Sequence, residues 1–163
     1  PAGLAGDARL DDPMVVRVGT LSKTLGAQGG FVAASSAVVE LLVNVARPFI
    51  FSTGLSPADA AAAHAALGVL VSDEGVTLVR RVRTLTDRLA PGHPSPIVPI
   101  VLGKESTAVA ASAALARLGY WVPAIRPPTV APGTSRLRLT FSAAHSDAQV
   151  DGLLEALDSL GLR

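Results

Sequence analysis

Gly19-Thr-Leu-Ser-Lys-Thr-Leu-Gly-Ala-Gln-Gly-Gly30 sets one lysine, Lys23, in a loop of small residues. Met14 to Val18 before it is a short apolar, β-branched run that predicts a strand, and Phe31 to Ala34 after it predicts another. Lys23 and Lys104 are the only lysines among the 14 basic residues, the rest being arginines. A lysine that forms a Schiff base must shed its proton, which takes burial or a nearby cation. Thr20 and Ser22 could donate hydrogen bonds to a phosphate, and Gly26, Gly29 and Gly30 permit close backbone approach. On its own the loop is better read as a surface lysine between glycine turns. A nucleotide-binding P-loop is excluded, because the two glycine positions of that motif hold Ser22 and Arg17.

Outward from the loop, Val38, Leu41, Leu42 and Val45 step at helical spacing, so a helix is expected from Ser35 or Ser36 to Ala46, ended by Pro48. Phe49-Ile-Phe-Ser-Thr-Gly54 reads as a short extended piece, and Pro57 opens an Ala-rich helix to Val71. Gly75 is expected to break the chain within Ser72-Asp-Glu-Gly75. Leu78, Val82, Leu85 and Leu89 then define an amphipathic helix. Pro91-Gly-His-Pro-Ser-Pro96 is the clearest linker. Beyond it come a strand at 97–102 with Pro99 marking an edge or bulge, a helix at 107–118, and strands at 120–125 and 135–141. In the last helix Ser146 and Gln149 form a capping box, Val150, Leu153, Leu154 and Leu157 a buried stripe, and Gly161 a stop.

Composition narrows the function classes. The residues are 49% hydrophobic and 17% charged, enough apolar material for a core, and the net charge is +1. Nothing demands nucleic acid or a membrane surface, and no apolar run reaches the roughly 18 residues of a membrane helix. Without cysteine there is no disulfide framework, thiolate catalysis or thiolate metal site, which fits the cytoplasm. No His/Asp/Glu spacing suggests a metal. His64, His93 and His145 read as structural, exposed or turn residues. The start, Pro1-Ala-Gly-Leu-Ala-Gly-Asp-Ala-Arg-Leu10, has no signal-peptide pattern and reads as a cut in mid-protein. Two short strands and one helix cannot bury a core alone, so the residues before Pro57 read as the tail of a larger sheet domain.

Arg136 and Arg138 alternate with Leu137 and Leu139, which puts both guanidiniums on one side of a strand. A guanidinium suits a carboxylate as a bidentate partner, although a solvated strand face has the same pattern.

Thr20-Leu-Ser-Lys-Thr-Leu-Gly-Ala-Gln-Gly-Gly30 resembles the lysine segment of the α-oxoamine synthases, fold type I pyridoxal-phosphate enzymes. Phe49-Ile-Phe-Ser-Thr-Gly54, Ser72-Asp-Glu-Gly75, Arg126-Pro-Pro-Thr-Val130, Gly133-Thr-Ser-Arg-Leu-Arg-Leu-Thr140 and Ser142-Ala-Ala-His145 are similar to later family segments in the same order. The resemblance implies an α/β fold: residues 1–56 as the remnant of the transferase large domain, 57–90 as connecting helices, and 91–163 as a small α+β domain with a mainly antiparallel sheet. It implies pyridoxal 5'-phosphate (PLP) as cofactor, held covalently by Lys23, with Thr20 on its phosphate and Ser52 and Thr53 reaching the phosphate of the neighbouring subunit in a homodimer. It implies Arg138 as the binder of the amino-acid carboxylate, and Arg126 and Thr129 in a loop that contacts the acyl substrate. Arg126-Pro-Pro-Thr-Val130 looks most like the branch that condenses L-alanine with a pimeloyl thioester, on CoA or a carrier protein, in biotin biosynthesis. A sibling synthase using glycine or serine, or a non-catalytic scaffold domain, remains an alternative. The first half of the family pattern, with its ring-stacking histidine, nitrogen-pairing aspartate and glycine-rich phosphate turn, has no match here.

Overall fold

Asp12-Pro13 begins with a turn rather than a strand. Val15 N–H donates to the Asp12 carbonyl at 2.9 Å and Met14 N–H to the Asp12 carboxylate at 2.8 Å, the local bonding that Asp favours at turns. The strand expected at 14–18 is therefore displaced to Arg17–Thr20 (β1). The computed structural model describes residues 12–163; the mid-protein cut read at Pro1 to Leu10 lies outside them. Strand β2, Gly30–Ala33, pairs antiparallel with β1, with Thr20 opposite Gly30.

Helix α1 spans Ser36–Val45. The stretch expected to be extended after it starts instead as a helical turn, α2 (Arg47–Ile50). Pro48 both stops α1 and suits the first turn of α2, where its missing N–H costs nothing. Helix α3 is Pro57–Leu70 and α4 is Asp73–Asp87. The break falls at Val71 and Ser72, not at Gly75, which lies in the first turn of α4. Ser72 Oγ donates to the Val69 carbonyl at 2.7 Å and accepts from Gly75 N–H at 3.4 Å. A Cβ at Gly75 would lie 2.4 Å from the Leu70 carbonyl oxygen, so glycine is there because α3 ends against it. No single helix among the described residues is long and apolar enough to cross a membrane.

The chain forms two compact units, residues 1–76 and 77–163. The first buries little: among its described residues only Ala27, Ala63 and Gly75 are buried, while Phe31, Phe49, Phe51 and Leu41 are exposed.

The second has a real core. Strands β3 (Ile97–Gly103), β4 (Ala124–Ile125) and β5 (Ser135–Thr140) make an antiparallel sheet in the order β3-β5-β4. Pro99 sits on edge strand β3 opposite Arg138, as a residue without an N–H requires. The strand expected over 120–125 shrinks to two residues: Gly119 has φ 91°, and Pro123 brings no N–H, although its carbonyl accepts from Arg138 N–H at 3.0 Å. Helices α5 (Glu105–Arg117) and α6 (Asp147–Ser159) complete the unit. Leu85, Leu115, Leu137, Leu139 and Leu157 are buried together with Val98, Val122, Phe141 and Val150. Arg81 of α4 and Arg88 just after it tie this helix to the start of α6, bonding Asp147 at 3.0 and 3.2 Å; Arg88 also pairs with Asp151. The Arg81 hydrogen bond holds the Asp147 carboxyl below its ordinary value.

The capping box of α6 is complete: Gln149 N–H donates to Ser146 Oγ at 3.2 Å and Ser146 N–H to Gln149 Oε1 at 2.9 Å. Ser146→Ala should destabilise the second unit by about 1 kcal/mol, within roughly 0.5–2. Denaturant unfolding followed on that unit checks it; an unchanged midpoint would show that the cap contributes nothing.

Candidate functional site

In the first unit Thr20 and Lys23 lie at the β1–β2 connection. Leu21 N–H donates to the Gly29 carbonyl and Ala27 N–H to the Leu21 carbonyl, both at 2.9 Å, which closes the loop at its base. Gly26 N–H donates to the Lys23 carbonyl at 2.9 Å, with Gly26 at φ 59°. That residue needs the left-handed conformation glycine takes without strain. Lys23 thus stands at the tip of a closed loop, exposed. Thr20 Oγ1 lies 2.7 Å from Ser22 Oγ, accepts from Ser22 N–H at 3.1 Å and donates to the Gly29 carbonyl at 3.3 Å. A Cβ at Gly30 would lie 2.9 Å from the Gly19 carbonyl oxygen, so side chains are kept out of the loop floor. Gln28 N–H donates to Asp59 Oδ1 of α3 at 3.2 Å and ties the loop to that helix. Ser52 and Thr53, just after α2, are exposed, and their hydroxyls have no hydrogen-bond partner among the described residues.

In the second unit the three arginines differ in what they hold. Arg126 Nη1 bonds Glu105 Oε1 at 2.9 Å. Arg136 Nε donates to the Thr134 carbonyl at 2.9 Å. The Arg138 side chain is exposed and has no partner among the described residues. The alternation read from the sequence holds: Ser135, Leu137 and Leu139 are buried and Arg138 and Thr140 exposed. Thr129 N–H closes a turn onto the Arg126 carbonyl at 3.0 Å, and Thr129 is exposed. Arg138 lines a crevice of about 460 Å³ with Trp121, Phe141, His145 and Gln149. Trp121 is not legible as a site residue, since a lone tryptophan carries no periodic pattern, and His145, expected only as a turn or helix-entry residue, lines the crevice too. Among the described residues no cluster of His, Asp or Glu is arranged to hold a metal.

The family model for aminotransferases of class I and II matches residues 4–157. The chain belongs to that family. Among curated class I and II aminotransferase relatives, 8-amino-7-oxononanoate synthase of Methylorubrum populi is 51% identical over 148 residues, 89% of this chain and 38% of the relative. The enzyme of the same name from Anaeromyxobacter dehalogenans is 49% identical over 168 residues, 96% of this chain and 41% of the relative. Thus the chain spans about two fifths of the length of these relatives. Sphingomonas wittichii serine palmitoyltransferase superposes with a TM-score of 0.80 at 29% identity, covering 98% of this chain and 44% of that one. A structure of SPT holding PLP gives 0.79 at 26% identity, over 99% and 44%. The resemblance to the α-oxoamine synthases, and the α/β transferase fold it implied, are borne out.

Proposed function

We propose that this chain is the carboxy-terminal part of a PLP-dependent acyltransferase that condenses L-alanine with a pimeloyl thioester, releasing carbon dioxide and the thiol carrier and forming 8-amino-7-oxononanoate in biotin biosynthesis. The observation that carries the reading is that relatives about half identical to this chain bear that enzyme's name. The geometry supports it at two places, an exposed lysine at the tip of a closed small-residue loop and, on the central strand of the second unit's sheet, an arginine without a side-chain partner among the described residues.

The donors present fit PLP. Thr20, Ser52 and Thr53 offer hydroxyls of the kind a phosphate accepts from, and the glycine-floored loop leaves room beside Lys23. When bound, PLP supplies an electron sink for negative charge at the substrate α-carbon. Lys23 would hold the cofactor covalently, yield it to the alanine amino group, and then, as a free amine, would take the α-proton and return a proton after the carboxylate leaves as carbon dioxide. Arg138 binds the alanine carboxylate through a charge-assisted, bidentate contact. Arg126 and Thr129 position the loop that meets the acyl donor, with Glu105 orienting the Arg126 guanidinium. The homodimer, with Ser52 and Thr53 serving the neighbouring site, and the cytoplasmic location belong to the same proposal. A second reading, a sibling synthase using serine, is favoured by the superposition on serine palmitoyltransferase.

The complete protein, given alanine, glycine or serine with pimeloyl-CoA or a pimeloyl carrier protein, decides between them. Alanine-dependent thiol release is expected, and serine-dependent release in its place would select the second reading. In that protein Arg138→Ala should weaken alanine binding by roughly ten- to a hundredfold, from loss of about 1.5–3 kcal/mol. An unchanged alanine dissociation constant would move the carboxylate site elsewhere.

A further inference from the structure

Trp121 is 88% exposed although its neighbours are held in place: Val122 is 6% exposed in the core, and the Tyr120 hydroxyl leans on α6 where a Cβ at Gly152 would meet it. The segment is fixed to β5 by the bond from Arg138 N–H to the Pro123 carbonyl. A large apolar ring kept uncovered on a rigid segment is an unusual use of tryptophan and marks a contact surface. It shares its crevice with the unpaired Arg138. The crevice is also lined by Phe141 and Leu153, and by His145, whose Nδ1 accepts from Ser142 N–H at 3.3 Å. With Nδ1 engaged as an acceptor, Nε2 is the ring nitrogen left to donate, as the guanidinium does. Among the described residues no Asp or Glu lines the crevice, so the charge they give it is positive and its walls are apolar. Its volume, about 460 Å³, suits a small molecule.

We infer that Trp121 is a specificity-determining residue that takes the aliphatic stem of a carboxylate held by Arg138. This rests on the reading of Arg138 as a carboxylate binder. The ligand chemistry is a carboxylate on a short aliphatic chain. Two sources share it, the α-carboxylate of an amino acid and the free end of a dicarboxylic acyl group.

Trp121 is the only tryptophan of the chain, so its fluorescence reports binding without any turnover. The 163-residue chain is titrated with heptanoate, pimelate, L-norleucine, L-alanine and 1-heptanol. Saturable change is expected with heptanoate, pimelate or norleucine, at least about tenfold tighter than with alanine because the stem adds several buried methylenes. Heptanol should give none, and Arg138→Gln should weaken the carboxylates by about tenfold or more. Pimelate binding best assigns the crevice to the acyl end, and norleucine binding best assigns it to the amino acid. No saturable change with any long carboxylate, or equal binding by Arg138→Gln, overturns the inference. In the complete protein Trp121→Ala should raise KM for the long-stemmed substrate with kcat kept; an unchanged KM would remove the specificity role. Loss of condensation in the wild-type protein alongside intact carboxylate binding would count against the proposed reaction alone.

Discussion

Lys23→Ala in the complete protein is expected to remove the borohydride-reducible cofactor adduct and turnover together. The loop that carries Lys23 has one lysine, a base closed by backbone bonds and a glycine floor that tolerates no side chain. No second amino group lies in it, so the covalent link has no substitute. The same nitrogen is proposed to move the α-proton, a role worth roughly 10²–10⁴ in rate by itself. Lys23→Ala should therefore lose at least that factor in kcat, beyond any loss of cofactor affinity. Lys23→Arg makes a sharper test. It keeps the charge, yet a guanidinium stays protonated and serves neither as nucleophile nor as base, so it should be as inactive as the alanine variant. A reducible adduct and near-normal rate in either variant would move the cofactor lysine, with Lys104 the only other lysine in the chain.

What the sequence disclosed depends on where its information was local. The α6 cap was legible because Ser146 and Gln149 satisfy each other within one turn. The inward Leu137 and Leu139 were legible because a strand alternates. Misreadings arose where a single residue acts on both sides of itself. Pro48 stops α1, as a proline pattern predicts, and also lies in the first turn of α2. The break expected at Gly75 falls at Val71 and Ser72, and the position inside α4 is glycine because the end of α3 comes within a Cβ's reach of it. Tyr120 to Ile125 had strand composition, but Gly119 and Pro123 leave only Ala124 and Ile125 in the ladder. In the candidate site, residue types and spacing marked Lys23 and Arg138. That Arg126 and Arg136 are engaged while Arg138 is not follows from Glu105 and the Thr134 carbonyl, partners that no strand pattern reveals. Trp121 was invisible for a similar reason, because its exposure depends on how Tyr120 and Val122 are anchored.

The 163-residue chain by itself should release neither carbon dioxide nor thiol when given PLP, alanine and a pimeloyl thioester. The argument starts from burial. The second unit encloses six leucines and their neighbours around a three-stranded sheet, whereas the first buries two alanines and a glycine among its described residues. Two four-residue strands do not sustain an isolated sheet in water, and here Val18, Phe31 and Val32 on them are exposed. Amide exchange should accordingly show protection concentrated in β3, β5, α5 and α6, with the Lys23 loop exchanging as an open segment. A lysine on such a loop forms an imine reversibly in solution but lacks the fixed surroundings that aim it at one carbon. Adding back the rest of the protein as a separate chain should restore protection at Leu21 and Ala27 and turnover together, since both need the same missing cover. Turnover by the 163 residues alone near the common enzyme scale, about 1 per second or more, would show that the first unit is ordered enough to work as it stands, and the reading of an incomplete site would fall.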